Sequence, residues 1–141
     1  MRKEFIAQNA KQTRKLGAAL AQELKSGKII CLTGELGSGK TTFTQGFLRG
    51  LKLRGPYTSP TFVIIKKYGR RGIEGEVYHI DAYRVGAKDI LALGWEEIAS
   101  DPKNIIIAEW ADRIRKIIPA SALWIKFEWL DENKRKIIFF K

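Results

Sequence analysis

Gly34-Glu35-Leu36-Gly37-Ser38-Gly39-Lys40-Thr41 fits the spacing G-x-x-x-x-G-K-[ST], follows an apolar stretch and opens a helical one. Those residue types at that spacing suit a triphosphate. Successive backbone N–H groups turned inward, with a helix N-terminus behind them, offer donors and a positive dipole to a dense anion. Gly34, Gly37 and Gly39 allow the backbone to turn tightly, Lys40 is placed for the β- and γ-phosphates, Thr41 for Mg²⁺ and Thr42 for the α-phosphate. A glycine-rich turn with an exposed lysine is the alternative, and the flanking strand and helix speak against it.

Two carboxylates end strand-like segments. Asp81 closes Gly75 to Asp81, and Val77, His79 and Asp81 share a face by the two-residue period. Glu109 follows Ile105-Ile106-Ile107-Ala108, the pattern of a Walker B strand, which sets an acid beside the P-loop metal. Such strand ends face the ligand crevice of an open α/β sheet. Thr58, Ser59 and Thr61, before another strand, supply hydroxyls either for an ordinary turn or for a loop that senses the γ-phosphate. His79, the sole histidine, reads as a structural hydrogen-bond partner before a base. Cys31 reads as a small core residue, because nothing near it in sequence activates a thiolate.

The elements that must hold these groups follow from periodicity. Asn9 caps a helix with small or apolar positions at Ala10, Thr13, Leu16, Gly17, Leu20, Ala21 and Leu24. Lys28 to Thr33 is a buried strand, and a helix from Lys40 to Leu51 carries Phe43, Phe47 and Leu51 on one face. Phe62 to Tyr68 and Gly75 to Asp81 form an antiparallel pair around a turn at Gly69-Arg70-Arg71-Gly72. Helices are expected over Lys88 to Ala99, with Trp95 as packing, and over Ala111 to Ile118, stopped by Pro119. Leu123 to Leu130 and Lys136 to Phe140 make a last hairpin, its turn at Asp131 to Arg135 and its core face at Ile125, Phe127 and Trp129. The fold class is α/β: one P-loop NTPase-like domain over residues 1–141, with helices on a mixed, mostly parallel sheet and antiparallel hairpins.

The chain has 26 Lys and Arg against 15 Asp and Glu, a formal net charge of +11. That excess favours polyanions such as RNA, nucleotides or an acidic protein surface, or else serves only as a solvated surface. With no run of 18 apolar residues and no charged-then-apolar leader, neither a membrane span nor a signal peptide is expected. A single cysteine gives no internal disulfide, and a cytoplasmic protein without a disulfide-linked partner is expected.

With the P-loop, Thr58-Ser59-Pro60-Thr61-Phe62, His79-Ile80-Asp81-Ala82-Tyr83-Arg84 and Glu109-Trp110, the chain resembles the TsaE (YjeE) family from about Phe5 onward. These are small bacterial ATPases of tRNA threonylcarbamoyladenosine synthesis. The resemblance implies ATP and Mg²⁺ as cofactors and Lys40 and Thr41 as the P-loop pair. It also implies a switch-like loop at Ser59 to Phe62 containing Thr61, the H-x-D-x-Y-R aspartate at Asp81, and the Walker B acid with its tryptophan at Glu109 and Trp110. Ser38 stands where the family often has alanine, and Ala82 where a larger aliphatic residue is usual.

The partners it implies are TsaB and TsaD, the heterodimer in which TsaD transfers the threonylcarbamoyl group to adenosine, with tRNA reached through that complex. Catalysis would rest on Lys40, Asp81 and Glu109, with the acid that binds Mg²⁺ beside Thr41 and the acid that orients water left open between the two. Turnover of the isolated protein is expected to be slow. Two other readings remain. A small-molecule P-loop kinase would need a lid, for which Arg70, Arg71 or Arg84 are available. A basic nucleic-acid-binding module would retain only a vestigial P-loop. A GTPase is disfavoured, because Asn133-Lys134-Arg135-Lys136 lacks the acid of N-K-x-D.

Overall fold

Asn9 starts the first helix through its own side chain, whose Oδ1 accepts the Gln12 N–H at 2.9 Å. The computed structural model describes residues 2–24, 27–57, 64–69 and 74–140. The hydroxyl-bearing segment with Thr58, Ser59 and Thr61, and the turn with Arg70 and Arg71, lie outside the described residues. The elements are β1 (Arg2–Ala7), α1 (Ala10–Glu23), β2 (Lys28–Thr33), α2 (Lys40–Gly50), β3 (Ile65–Tyr68), β4 (Val77–Asp81), α3 (Ala87–Ala92), α4 (Trp95–Ser100) and β5 (Ile105–Glu109). A 3₁₀ helix (Ala111–Ile117), β6 (Leu123–Trp129) and β7 (Arg135–Phe140) complete them.

All seven strands form one sheet in the order β1-β7-β6-β2-β5-β4-β3. The three central pairings, β6 with β2, β2 with β5 and β5 with β4, are parallel, and the three outer ones are antiparallel. The mixed sheet expected from the sequence is therefore present, parallel in its middle. β2 and β5 read as continuous apolar runs because helices cover both of their faces. Ile30, Leu32, Ile105 and Ile107 pack toward α1 and α2, with Phe43, Phe47 and Leu48. Ile29, Cys31, Ile106 and Ala108 pack toward Ile90, Trp95 and Ile114 on the opposite face.

Helices α1 and α2 touch backbone to backbone. A Cβ placed on Gly46 would meet the Arg14 carbonyl and lie 2.6 Å from the Arg14 Cα, and one on Gly50 would lie 2.7 Å from the Ala18 Cα. Only glycine permits that approach.

Two expectations need correction. The helix foreseen over Lys88 to Ala99 is two, because Gly94 adopts φ +95 and turns the chain between α3 and α4. Trp95 then becomes a buried anchor, its Nε1–H donating to the Ile117 carbonyl at 3.1 Å. The short helix expected after β5 is present as a 3₁₀ helix, entered through Trp110 in the left-handed region at φ 59. Trp129 does not join Ile125 and Phe127 in the core: it is 54% exposed against 0% and 2%. Phe127 abuts Gly34 and Gly39, and Trp129 beyond it meets the Arg135 guanidinium, 5.9 Å from its ring centroid.

Candidate functional site

The loop between β2 and α2 carries out the turn its glycines were expected to make. Gly34 lies at φ +142, where a Cβ would sit 2.5 Å from the Phe127 carbonyl oxygen, and Gly39 at φ +107 delivers the chain directly into α2. A glycine at that position has no capping side chain, so the first-turn N–H groups of α2 are left for a ligand. Lys40 is buried, and its ammonium donates to the Gly34 and Glu35 carbonyls at 2.6 and 2.8 Å and to Ser38 Oγ at 3.3 Å. Burial holds its pKa below the ordinary lysine value, while Glu109, Asp112, Asp81 and Glu35 pull it back up.

Leu32, Glu109 and Asp81 stand in one register row across β2, β5 and β4, at the carboxyl ends of parallel strands. Being on that row turns Glu109 toward α2. Its Oε1 accepts the Thr41 hydroxyl at 2.8 Å and its Oε2 meets His79 Nε2 at 2.6 Å, both His79 and Glu109 being buried. The histidine thus holds the carboxylate from behind, as its structural reading anticipated. Asp81 is half-buried, and its Oδ1 accepts the Tyr83 N–H at 3.0 Å.

Trp110 lies beside these groups, not away from them. Its left-handed backbone brings the indole to 4.0 Å from the Lys40 ammonium, with the Tyr83 ring at 4.8 Å and the Arg113 guanidinium at 5.5 Å. A cation over an aromatic face is attracted to it, more so where water is excluded.

A cleft of about 420 Å³ opens over this row, lined by Lys40, Thr41, Thr42, Asp81, Glu109 and Trp110 among others. Leu36, Gly37 and Gly39 also line it, whereas Gly34 and Glu35 border a hollow on the far side of the loop and Ser38 is buried beneath. Thr61 lies outside the described residues.

The donor set suits magnesium. Mg²⁺ takes oxygens at about 2.0–2.1 Å in an octahedron, so two adjacent ligands stand about 2.9 Å apart. The Thr41 and Glu109 oxygens are 2.8 Å apart. Among the described residues there is no group of three or more His, Cys, Asp or Glu that could hold a metal by itself.

A family model described as "Threonylcarbamoyl adenosine biosynthesis protein TsaE" matches residues 7–137. A curated relative from Aquifex aeolicus, "tRNA threonylcarbamoyladenosine biosynthesis protein TsaE", is 36% identical over 99% of this chain and 96% of its own length. The chain belongs to the TsaE family. A relative of the same description from Bacillus subtilis is 34% identical over 93% of this chain and 80% of its own. A solved structure titled "Crystal structure of Bacillus subtilus YdiB" superposes with a TM-score of 0.82 at 30% identity, covering 99% of this chain and 84% of that one.

Three of the four segments that carried the TsaE resemblance therefore converge on one cleft. A further contributor was not foreseen from the sequence. Arg135, at the start of β7, donates from Nε to the Gly37 carbonyl at 3.1 Å and lines the cleft with Asn133. In the sequence it stands only at the end of the turn Asp131 to Arg135 and in Asn133-Lys134-Arg135-Lys136, which fails as a guanine-reading motif. Among the described residues of this TsaE-family chain, no helix is long and apolar enough to cross a membrane.

Proposed function

We propose that this TsaE-family chain is a Mg²⁺-dependent ATPase that serves threonylcarbamoyladenosine modification of tRNA in the cytoplasm, working with TsaB and TsaD. The observation that carries the reading is the Lys40, Thr41, Glu109 and Asp81 cluster at the head of a P-loop helix, within a chain whose relatives bear that biosynthetic name.

Each residue has a distinct task. The P-loop amides and Lys40 bind the β- and γ-phosphates, the ammonium exchanging its bonds to the Gly34 and Glu35 carbonyls for phosphate oxygens. Thr41 and Glu109 would hold Mg²⁺, whose charge, when bound, offsets what builds on the phosphate oxygens during transfer. His79 keeps Glu109 from swinging away. Asp81, one strand over and nearer solvent, orients the attacking water. Trp110 and Tyr83 shield the lysine side of the cleft.

The test is ATP hydrolysis by the purified chain with and without TsaB–TsaD, and with and without tRNA. Slow turnover alone and faster turnover with the partners are expected. Asp81→Ala should bind nucleotide and lose turnover, whereas Lys40→Ala should lose tight nucleotide binding. Absence of hydrolysis in every combination would remove the ATPase reading. Retained hydrolysis in Asp81→Ala would remove that residue from the mechanism.

A further inference from the structure

The cleft does not account for the basic excess. Part of that excess lies beside the cleft on the same two helices, in a groove of about 600 Å³ lined by Lys11, Arg14 and Lys15 of α1, by Gln45 and Arg49 of α2, and by Tyr57. The four cations are exposed. None of the ion pairs found among the described residues reaches them, and the residues outside that description include no acid.

This arrangement is unfavourable for the protein by itself. Lys11 stands in the first turn of α1, at the positive end of the helix dipole, and that turn has no acidic residue. Lys11 and Lys15 are a like-charged pair four residues apart, and Arg14 lies beside both. The glycine seam then adds to the crowding. Because Gly46 lets α2 rest on the Arg14 backbone, the cations of α1 and Arg49 of α2 border a single groove rather than separate helix surfaces. Self-repelling charge held together by close packing gains stability from a polyanion laid along it.

We infer that the α1–α2 groove binds the phosphate backbone of RNA, without reading its sequence. A phosphodiester chain fits because it supplies negative charge at short regular intervals, matching cations placed about 5.4 Å apart on successive helical turns. Besides the cations the groove holds Gln45, Ala18, Gly46 and Tyr57, none of them, among the described residues, an exposed large apolar anchor, which disfavours a protein interface of ordinary composition. It also adjoins the cleft. Ala10, Thr13 and Thr42 line the cleft, and neighbouring positions of the same helices line the groove.

The test uses the full chain and a fluorescein-labelled unmodified tRNA transcript, with polyuridine of similar length as a second probe, read by anisotropy across salt concentrations. Four phosphate contacts predict a slope of log K against log salt of about −3, so affinity should fall about 60-fold between 50 and 200 mM salt. Arg14→Glu/Arg49→Glu, and separately Lys11→Glu/Lys15→Glu, should each reduce the slope by about 1.5 and weaken binding about tenfold or more. Lys88→Glu/Lys103→Glu makes the same change in net charge outside the groove and should have little effect. Unchanged nucleotide binding shows that each variant is folded and keeps this inference separate from the ATPase reading. The inference is overturned if the wild type shows no salt-dependent binding, or if all three variants behave alike. It is equally overturned if the groove variants keep RNA but lose TsaB–TsaD, which would assign the groove to a protein partner.

Discussion

Replacing Gly46 by alanine sets two effects of opposite sign against each other. Within an isolated helix the change is favourable by about 1 kcal/mol, because alanine has less backbone entropy to lose. In this protein the new Cβ would lie 2.6 Å from the Arg14 Cα, where about 3.5–4.0 Å is normal between carbons. The obstacle is backbone and cannot rotate aside, so α1 must lift from α2 by about 1 Å over a seam that also includes Gly17 and Gly50. Overpacking of this kind costs up to about 3 kcal/mol, leaving a net loss of about 2 kcal/mol. For a chain of 141 residues the unfolding entropy is about 0.3 kcal/mol per degree, so Tm should fall by about 7 °C. Thermal and urea unfolding measure it directly. Gly69→Ala, where a Cβ meets nothing within 4 Å, is the control and should shift stability by less than about 0.5 kcal/mol. A Gly46→Ala protein as stable as the wild type, or more so, would refute the close-contact argument, because helix propensity alone predicts that result.

Four further outcomes follow from the site and the core. Burial pushes the Cys31 thiol up to about 12, so at pH 8 about one in 10,000 is thiolate; thiol reagents should label it only on unfolding, and rapid native labelling would contradict its core position. Lys40 has a folded pKa below its ordinary 10.5, so between those values the unfolded chain binds more protons and wild-type stability should rise with pH relative to Lys40→Met; matched urea titrations from pH 7 to 10.5 showing a flat or falling difference would count against the burial. Arg135→Ala removes the bond to the Gly37 carbonyl and a cation from the cleft, and nucleotide affinity should drop about fivefold by calorimetry; wild-type affinity would exclude it from the site. Drawing the Lys40 ammonium off the Trp110 ring should change tryptophan emission when nucleotide is added, a change absent from Trp110→Phe; equal responses in both would place the reporter elsewhere.

How far the sequence could be read depended on the range of the interaction. The P-loop was legible because its glycines, lysine and threonine act within eight consecutive residues, and Asp81 and Glu109 because a strand end is a local event. The β3–β4 and β6–β7 pairings were equally local. Gly94 was not legible, since glycine inside a helical period is often tolerated and its φ of +95 is decided by how α3 and α4 pack. Trp129 alternates correctly with Phe127, yet alternation does not say which positions of a face stay exposed. Arg135 reaches a loop 98 residues earlier, and the basic groove joins side chains from two helices. Neither exists until the sheet and the glycine seam have placed those segments together.

The outermost pairing of the sheet bears on the order of assembly. Among the described residues β1 pairs with β7 alone, with Arg2 opposite Phe140 and Ala7 opposite Arg135. β1 therefore waits for a strand well over 100 residues later in the chain, while β6 and β7 can zip together across a short turn. Until β7 is in place, Phe5 lacks the Phe139 ring that it meets at 5.5 Å. Closing so long a loop delays the contact, so the transition state for folding should contain the parallel middle of the sheet and α2, with β1 added afterwards. The same strand should be the first to detach in the native state, its amides exchanging faster than those of β2 and β5.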